Sequence, residues 1–588
     1  MKSRGLYPTL KRIAPYTLRY RLLFSSIVVF VLLYSIIART LPWIVGYTID
    51  NGIVKSDFDI VWKLAIAYMV TQTLASALLY VQSILFQRLG NRALFDIRED
   101  LISHVQALPI KFFDENSSGK IITRVTNDVS SLGNFFNQVL FSLTNATIET
   151  ISIIIALSFV SVRLTFVTLI AAPAIAFLSI KITHRIREVF HAQKQKLSAI
   201  NAFVAENISG IAVLRLYNRI GANQKKFQRL SLEYKTESLK MSFNYALLWP
   251  LLAFFNASCI LLTLLYGGYL TSQEVIAIGS LVTFILNVQD LQDPLSNLLE
   301  KYVQLQDSLA SADRIFDLLD EKKEDLTGKL ITNSRGEITF KNLSFRYART
   351  GPLVLDGINL KIKPGENIGV VGKTGSGKST LISLLQKFYS VTDGEILVDH
   401  QPLSRISARD WRAKIGIIQQ DPFIFRGTVA SNIALNTNSL SRGRIEQAAL
   451  LSHCTDIFSK RKGGIDAIVE EKGANLSAGE KQLIAFARIF AFEPSILILD
   501  EATANIDSHT ESLIQNAIKK VSQSRTCIII AHRLSTLHFC DRIVVLDDHK
   551  IAEVGSHEEL MNLKGQYYDL YCQHYLKPNV DYIALMQS

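Results

Sequence analysis

An all-α transmembrane domain of six helices followed by an α/β domain is the fold class that this 588-residue sequence predicts. Three observations lead there. Mean hydropathy is +0.21 and 48% of residues are hydrophobic, too apolar for a soluble chain of this length. With only 20% charged residues, long-range disorder is excluded as well. Uncharged runs fill the first half of the chain, whereas the second half alternates short β-rich runs with helical stretches.

The runs are Leu22 to Ala38, Leu64 to Gln87, Val129 to Val162 broken by Glu149, Leu164 to Ile180, Met241 to Gln273, and Val275 to Gln289. Each reaches or approaches the ~20 residues of a spanning helix. The expected spans are residues 22–49, 60–87, 135–162, 164–183, 243–270 and 274–297, in a domain of residues 1–320. Lys and Arg number six before Leu22, six in Arg88 to Asp128 and twelve in Lys181 to Lys240, but two in Asp50 to Lys63. This asymmetry puts the basic connections, the N-terminus and the second half in the cytoplasm. It also accounts for the net charge of +11 without a nucleic-acid partner. The first run lacks a small-residue cleavage site and reads as a spanning helix, not a signal. The two long basic connections are amphipathic and read as helices prolonged out of the membrane. The five cysteines have no metal-ligand spacing and are expected to be free thiols.

Two charges fall at membrane depth. Glu149 lies near the middle of its run, where a carboxylate signals either a substrate cavity or a polar structural partner. Arg39 is expected to snorkel or to be paired near the external end of the first span.

A polar, breaker-rich linker, residues 321–336, leads into residues 337–588. Strands are expected at Glu337 to Phe340, Asn367 to Val371, Ile415 to Ile418, Ile496 to Leu499 and Cys527 to Ile530, forming a buried parallel core. After the second of these comes Gly372, Lys373, Thr374, Gly375, Ser376, Gly377, Lys378, Ser379 and Thr380, a G-x-x-x-x-G-K-[ST] motif between strand and helix. Its glycines allow backbone N–H groups to face phosphate, and the following helix adds positive potential. Lys378 suits the β- and γ-phosphates and Ser379 suits Mg²⁺. The domain is therefore read as an α/β P-loop nucleotide-binding domain. Asp500 and Glu501 end the strand Ile496 to Leu499, Asp500 placed for Mg²⁺ and Glu501 to polarise the attacking water. Ser477, Ala478, Gly479 and Glu480 open a helix, and Ser477 with Glu480 forms a capping box.

Together these residues resemble the ABC transporter superfamily over nearly the whole chain, in the order of a type I exporter half-transporter. The resemblance implies that residues Leu476 to Glu480 are the signature loop, which contacts ATP held by the opposing subunit. It further implies that Tyr347 stacks on adenine, Gln420 approaches Mg²⁺, Asp507 is the D-loop aspartate and His532 contacts the γ-phosphate. Phe112 to Gly119 is similar to the first coupling segment. The pattern is broken where Ala478 replaces a signature glycine, where Glu480 replaces its glutamine, and where Glu470, Glu471, Lys472 and Gly473 replace Gly-Glu-Arg-Gly. The first two changes imply a weakened trans half of the ATP site. From the Tyr-Pro-Thr-Leu-Lys-Arg of residues 7–12 through the Thr-Ala-Asn-Ile-Asp-Ser of residues 503–508, the chain is similar to the multidrug-resistance-like Mdl pair of bacterial half-transporters, particularly the B member. That implies an inner-membrane protein and a second half-transporter as partner, a sister subunit ahead of a second copy. It also implies ATP hydrolysis with Mg²⁺ and export of a small hydrophobic or amphipathic substrate. The alternative is an ATP-gated or regulatory membrane protein with little turnover, which the presence of Glu501 and His532 opposes.

Overall fold

The computed structural model describes residues 6–575 apart from 332–333, 349, 438, 501–507, 524, 531–536 and 538. The chain forms two compact units. One is Met1–Leu108 with Asn116–Lys322; the other is Pro109–Glu115 with Lys323–Ser588.

The first unit is helical. An amphipathic helix, α1 (Leu6–Leu18), precedes α2 (Arg21–Thr48) and α3 (Phe58–Gln106). A short helix, α4 (Ile110–Glu115), belongs to the second unit. Then follow α5 (Leu140–Val160), α6 (Val162–Thr168), α7 (Ala172–Ser209), α8 (Ile220–Leu262), α9 (Ile278–Gln289) and α10 (Gln292–Leu319). Among the described residues four continuous helical stretches are long and apolar enough to cross a bilayer: Arg21–Ile53, Phe58–Gln106, Ser118–Val160 and Ile220–Ser272. The fourth and sixth expected spans are interrupted, each beside a proline. Pro173 follows a 3-10 turn at Leu169–Ala171, and Pro294 follows the break between α9 and α10. A proline has no amide for the carbonyl four residues earlier, which weakens the helix there, although α2 and α8 continue through Pro42 and Pro250.

The second break is stabilised by side chains. Asn256 on α8 donates to the carbonyls of Val288 (3.1 Å) and Gln289 (3.3 Å). The Gln289 carbonyl is an acceptor that the interrupted helix leaves open in an apolar medium, while that of Val288 also takes the Leu291 N–H at 3.2 Å. At the break itself, Asp290 accepts from Arg39 at 3.0 Å, and the same Arg39 nitrogen reaches Asn287 at 3.3 Å. Arg39 is thus paired, one of the two arrangements expected. Because α2 continues beyond it for nine residues and then into Ile49–Ile53, it is not at the helix end. Glu149 lies within electrostatic reach of Tyr34 and Arg39. Gly46 of α2 and Gly279 of α9 meet so closely that a Cβ on either would overlap the other's carbonyl. Small residues at such crossings let membrane helices approach. Asp50 fixes the register by accepting the Gly279 N–H at 2.7 Å.

Among the described residues the second unit has twelve strands. A six-stranded sheet has the order β12-β11-β3-β10-β9-β6 and a four-stranded antiparallel sheet the order β2-β1-β4-β5, with a β7-β8 ribbon beside them. The strands are β1 (Ile338–Phe345), β2 (Leu355–Ile362), β3 (Asn367–Gly372), β4 (Asp393–Val398), β5 (Gln401–Pro402), β6 (Ile415–Ile418), β7 (Gly427–Thr428), β8 (Ile468–Val469), β9 (Ile496–Asp500), β10 (Thr526–Ile530), β11 (Arg542–Asp547) and β12 (Lys550–Gly555). All five expected strands are present, but the first, β1, lies in the antiparallel sheet and not in the parallel core expected for it. β11, β3, β10, β9 and β6 run parallel, and β12 closes the edge antiparallel. Alternate residues face opposite cores. Ile496, Ile498, Ile528 and Ile530 pack toward the antiparallel sheet, while Leu497, Leu499, Cys527 and Ile529 pack toward the helices Ala478–Phe492 and Ser508–Ser522. Burial pushes the thiols of Cys454, Cys527 and Cys540 up to about 12. Among the described residues none of the five cysteines is in a disulfide.

The expected linker is not a loose tether. Its Lys329 forms a parallel bridge with Ile406, Ile331 is buried in the core, and Glu324 takes both terminal nitrogens of Arg412 at 2.5 and 3.0 Å. The antiparallel sheet, unforeseen apart from the start of β1, therefore reaches back to the connection.

Substituting Gly279 by valine is expected to destabilise the first unit by about 1–3 kcal/mol through overpacking. Gly268→Val should be nearly neutral, since no atom beyond its own helix turn lies within 4 Å of a Cβ there. Heat-induced loss of the monodisperse protein in detergent, followed for both variants, measures the difference.

Candidate phosphate-binding site

The parallel register brings the predicted residues to one sheet edge. Val370 pairs with Ile530, Ile530 with Asp500, and Leu499 with Ile418. Hence Gly372, Asp500 and the segment leading to Gln420 leave the sheet on the same side. Carboxyl ends of parallel strands are where such sheets bind ligands.

Beyond β3 the chain turns through Gly375 (φ 87°) and Gly377 (φ 102°), conformations that favour glycine. Gly377 is doubly constrained, because a Cβ there would lie 2.6 Å from Leu355 Cδ2 and 2.7 Å from the Val354 carbonyl. It precedes α11 (Lys378–Leu385), whose N-terminus has no side-chain cap. The first intrahelical bond is Leu381 N to Gly377 O, so the amides of Lys378, Ser379 and Thr380 precede the ladder and are available to an anion.

Lys378 is 7% exposed and folds over the loop, donating to the carbonyls of Gly372 (2.6 Å) and Lys373 (3.0 Å). Burial lowers its pKa, and the Asp500 carboxylate opposes that shift. The Ser376 hydroxyl is buried without a hydrogen-bond partner among the described residues. Such an orphaned group in a loop of phosphate-facing amides is what an anion would satisfy. Lys373, Thr374, Gly375 and Ser379 are exposed; Thr380 is buried.

Tyr347 sits at the rim, 46% exposed, with its hydroxyl 3.0 Å from Thr380 Oγ1. Its ring meets Phe345 and Tyr389 edge-on, at centroid distances of 4.9 and 5.1 Å. Tyr389 donates in turn to Asp114 of α4, a link that nothing in the local sequence signals across 275 positions. Asp114 and burial together push the Tyr389 phenol well above its ordinary value.

The signature segment opens α12 (Ala478–Phe492), with Ser477 as N-cap. The capping box is present: Ser477 Oγ accepts from Glu480 N (3.2 Å), and Ser477 N donates to Glu480 Oε2 (2.7 Å). Ser477 and Ala478 are exposed and Gly479 is buried. The helix is tied to the Gln420 loop. Gln482 donates to the Gln420 carbonyl at 3.4 Å, and Arg488 donates to the carbonyls of Phe423 and Asn432, each at 2.9 Å. Burial pushes the Arg488 guanidinium down to about 10, which leaves it charged at neutral pH. Glu501, Asp507 and His532 lie outside the described residues.

Residues 24–295 match the family described as ABC transporter transmembrane region, and residues 355–504 match the family described as ABC transporter. The chain is similar to the probable multidrug resistance ABC transporter ATP-binding/permease protein YheH of Bacillus subtilis, 35% identical over 497 residues, 84% of this chain and 74% of that protein. It is also similar to the ATP-dependent lipid A-core flippase of Albidiferax ferrireducens, 31% identical over 530 residues, 90% of this chain and 91% of that one. The structure of a bacterial Atm1-family ABC exporter with ATP bound superimposes with a TM-score of 0.81 at 25% identity, covering 95% of this chain and 99% of the other.

Replacing Gly377 by alanine is expected to reduce ATP affinity by at least about tenfold, because the φ and the Cβ contacts both oppose it. Calorimetric titration of ATP into the variant and the unmodified chain would show the difference.

Proposed function

On the premise that the chain belongs to the ABC transporters, as an exporter half-transporter that couples ATP hydrolysis to transport, we propose that it moves drug-like or lipid-like amphiphiles across a bacterial inner membrane, its N-terminus and residues 337–588 cytoplasmic. Two similar proteins with those kinds of cargo in their names support the class of substrate. The observation that carries the mechanism is the convergence at one sheet edge of an uncapped helix start, a buried lysine, an orphaned hydroxyl and an acidic strand end.

Each residue then has a task in the proposal. The amides from Gly372 to Thr380 cradle the phosphates and Lys378 neutralises their charge. Tyr347 offers its exposed ring to adenine. Ser379, Gln420 and Asp500 would hold Mg²⁺, which supplies charge neutralisation to the β- and γ-phosphates. Glu501 orients the attacking water, His532 contacts the γ-phosphate, and Asp507 contacts the opposite subunit. Ser477, Ala478, Gly479 and Glu480 meet ATP held by the partner, so two such domains must close on each other. The closing of two sites and their reopening after hydrolysis alternate the access of the membrane cavity, where Glu149 contributes a polar contact for the cargo's head group. The similarity to the Mdl pair favours a sister subunit as the partner over a second copy.

The regulatory alternative is not favoured, since the relatives are transporters over most of their length. In lipid, Glu501→Gln is expected to retain ATP binding and to lose at least about a hundredfold in hydrolysis, the usual contribution of a general base. Chelation of Mg²⁺ should abolish turnover of the unmodified protein. Amphiphile-stimulated ATPase by the chain alone would mean a homodimer; turnover only with the co-expressed sister would mean a heterodimer. Unchanged hydrolysis in Glu501→Gln would overturn the assignment. Separately, Tyr347→Ala should weaken ATP binding about tenfold while Tyr347→Phe leaves it intact, read with a fluorescent ATP analogue.

A further inference from the structure

The loop proposed to meet the partner's ATP carries a carboxylate at its third helical position. A helix start attracts anions, and Glu480 spends part of that attraction on itself by bonding the Ser477 amide. A triphosphate arriving at the same helix tip would meet a like charge. The structure supplies a counter-charge from elsewhere in the chain. Arg461 Nη2 lies 2.9 Å from Glu480 Oε1 and 3.0 Å from Oε2, and it also donates to the Asn475 carbonyl at 3.0 Å.

That guanidinium is held in place. Its carbon lies 5.6 Å from the Phe458 ring centroid, and the Arg461 amide donates to the Phe458 carbonyl at 2.9 Å. Asn475 is anchored in turn, its side chain accepting from Glu470 N and donating to Ile468 O, each at 3.0 Å. The Glu480 side chain is 13% exposed, so its charge is screened less than that of a surface ion pair. Ser477 Oγ accepts from the Glu480 amide, which leaves its own proton to donate outward.

We propose that Arg461 is a positioning residue for the ATPase reaction. It neutralises Glu480 and holds it in the capping box, so that an acidic signature loop still receives the γ-phosphate of ATP bound by the partner subunit. This rests on the trans role proposed above for Ser477 to Glu480.

The test uses the assembled dimer in lipid, with steady-state ATPase across ATP concentration and ionic strength. Arg461→Met is expected to raise KM for ATP about tenfold with little change in kcat, and the defect should shrink as salt rises. Arg461→Lys should lose much less. Adding Glu480→Gln to Arg461→Met should return KM to within about twofold of the unmodified dimer, because the uncompensated charge is then gone. A double variant as impaired as Arg461→Met, or a defect indifferent to salt, would show a purely structural tie and sink the proposal. If Arg461→Met does not fold, Glu480→Gln alone decides: a lowered KM, because a like charge has left the helix tip while Arg461 remains, supports the proposal, and an unchanged or raised KM overturns it. Ser477→Asp tests the underlying reading separately, because aspartate caps a helix as well as serine while adding charge at the tip. An unchanged KM there would mean that this loop does not meet phosphate at all.

Discussion

Parallel pairing of β3, β10, β9 and β6 is the constraint on which the nucleotide chemistry depends. Because the pairing is parallel, every strand in this row delivers its carboxyl end to the same edge. A one-residue slip of β9 against β10 would exchange Ile496 and Ile498 for Leu497 and Leu499 between the two cores, so the packing on both faces fixes where Asp500 emerges. Lys378 and Asp500 lie within electrostatic reach although they are far apart in sequence. The chemistry is therefore positioned by hydrophobic alternation, and the polar groups inherit their places from it.

The membrane half solves a different problem with similar economy. Where the last span breaks ahead of Pro294, Asn256 takes the Gln289 carbonyl left open and shares that of Val288, and Arg39 meets the carboxylate at the break. A polar side chain at membrane depth that has a defined partner is compatible with a low-dielectric surrounding. The pairing also ties α2 to the α9–α10 break, while the Gly46–Gly279 crossing fixes the spacing of α2 and α9.

Elements with a local signature were legible in the chain. The phosphate loop announces itself because glycine spacing, lysine and the strand before it are contiguous, and four of the five parallel strands are expected from their unbroken apolar runs; the fifth, β11, is equally apolar but is not among the expected strands. The antiparallel strands β2 and β4 were missed because their exposed faces dilute the apolar signal: β2 alternates buried with partly exposed residues. The interrupted spans looked continuous, since hydropathy does not register a missing amide at Pro173 or Pro294. Groups brought together by folding left no trace at all. Glu480 alone suggested a weakened site, and only the arrival of Arg461 from 19 positions away shows its charge to be compensated. Likewise, Arg488 reads as one more basic residue on a helix until its contacts with the Gln420 loop are seen.

Pro109–Glu115 packs with the second unit although it is made with the first. The ribosome releases these residues long before Tyr389, the group that bonds to Asp114, has been synthesised. The nucleotide domain consequently cannot complete its surface from its own contiguous stretch of chain. A second unit excised at Lys323 would therefore be a domain missing one of its own pieces, the segment that gives Tyr389 its carboxylate partner.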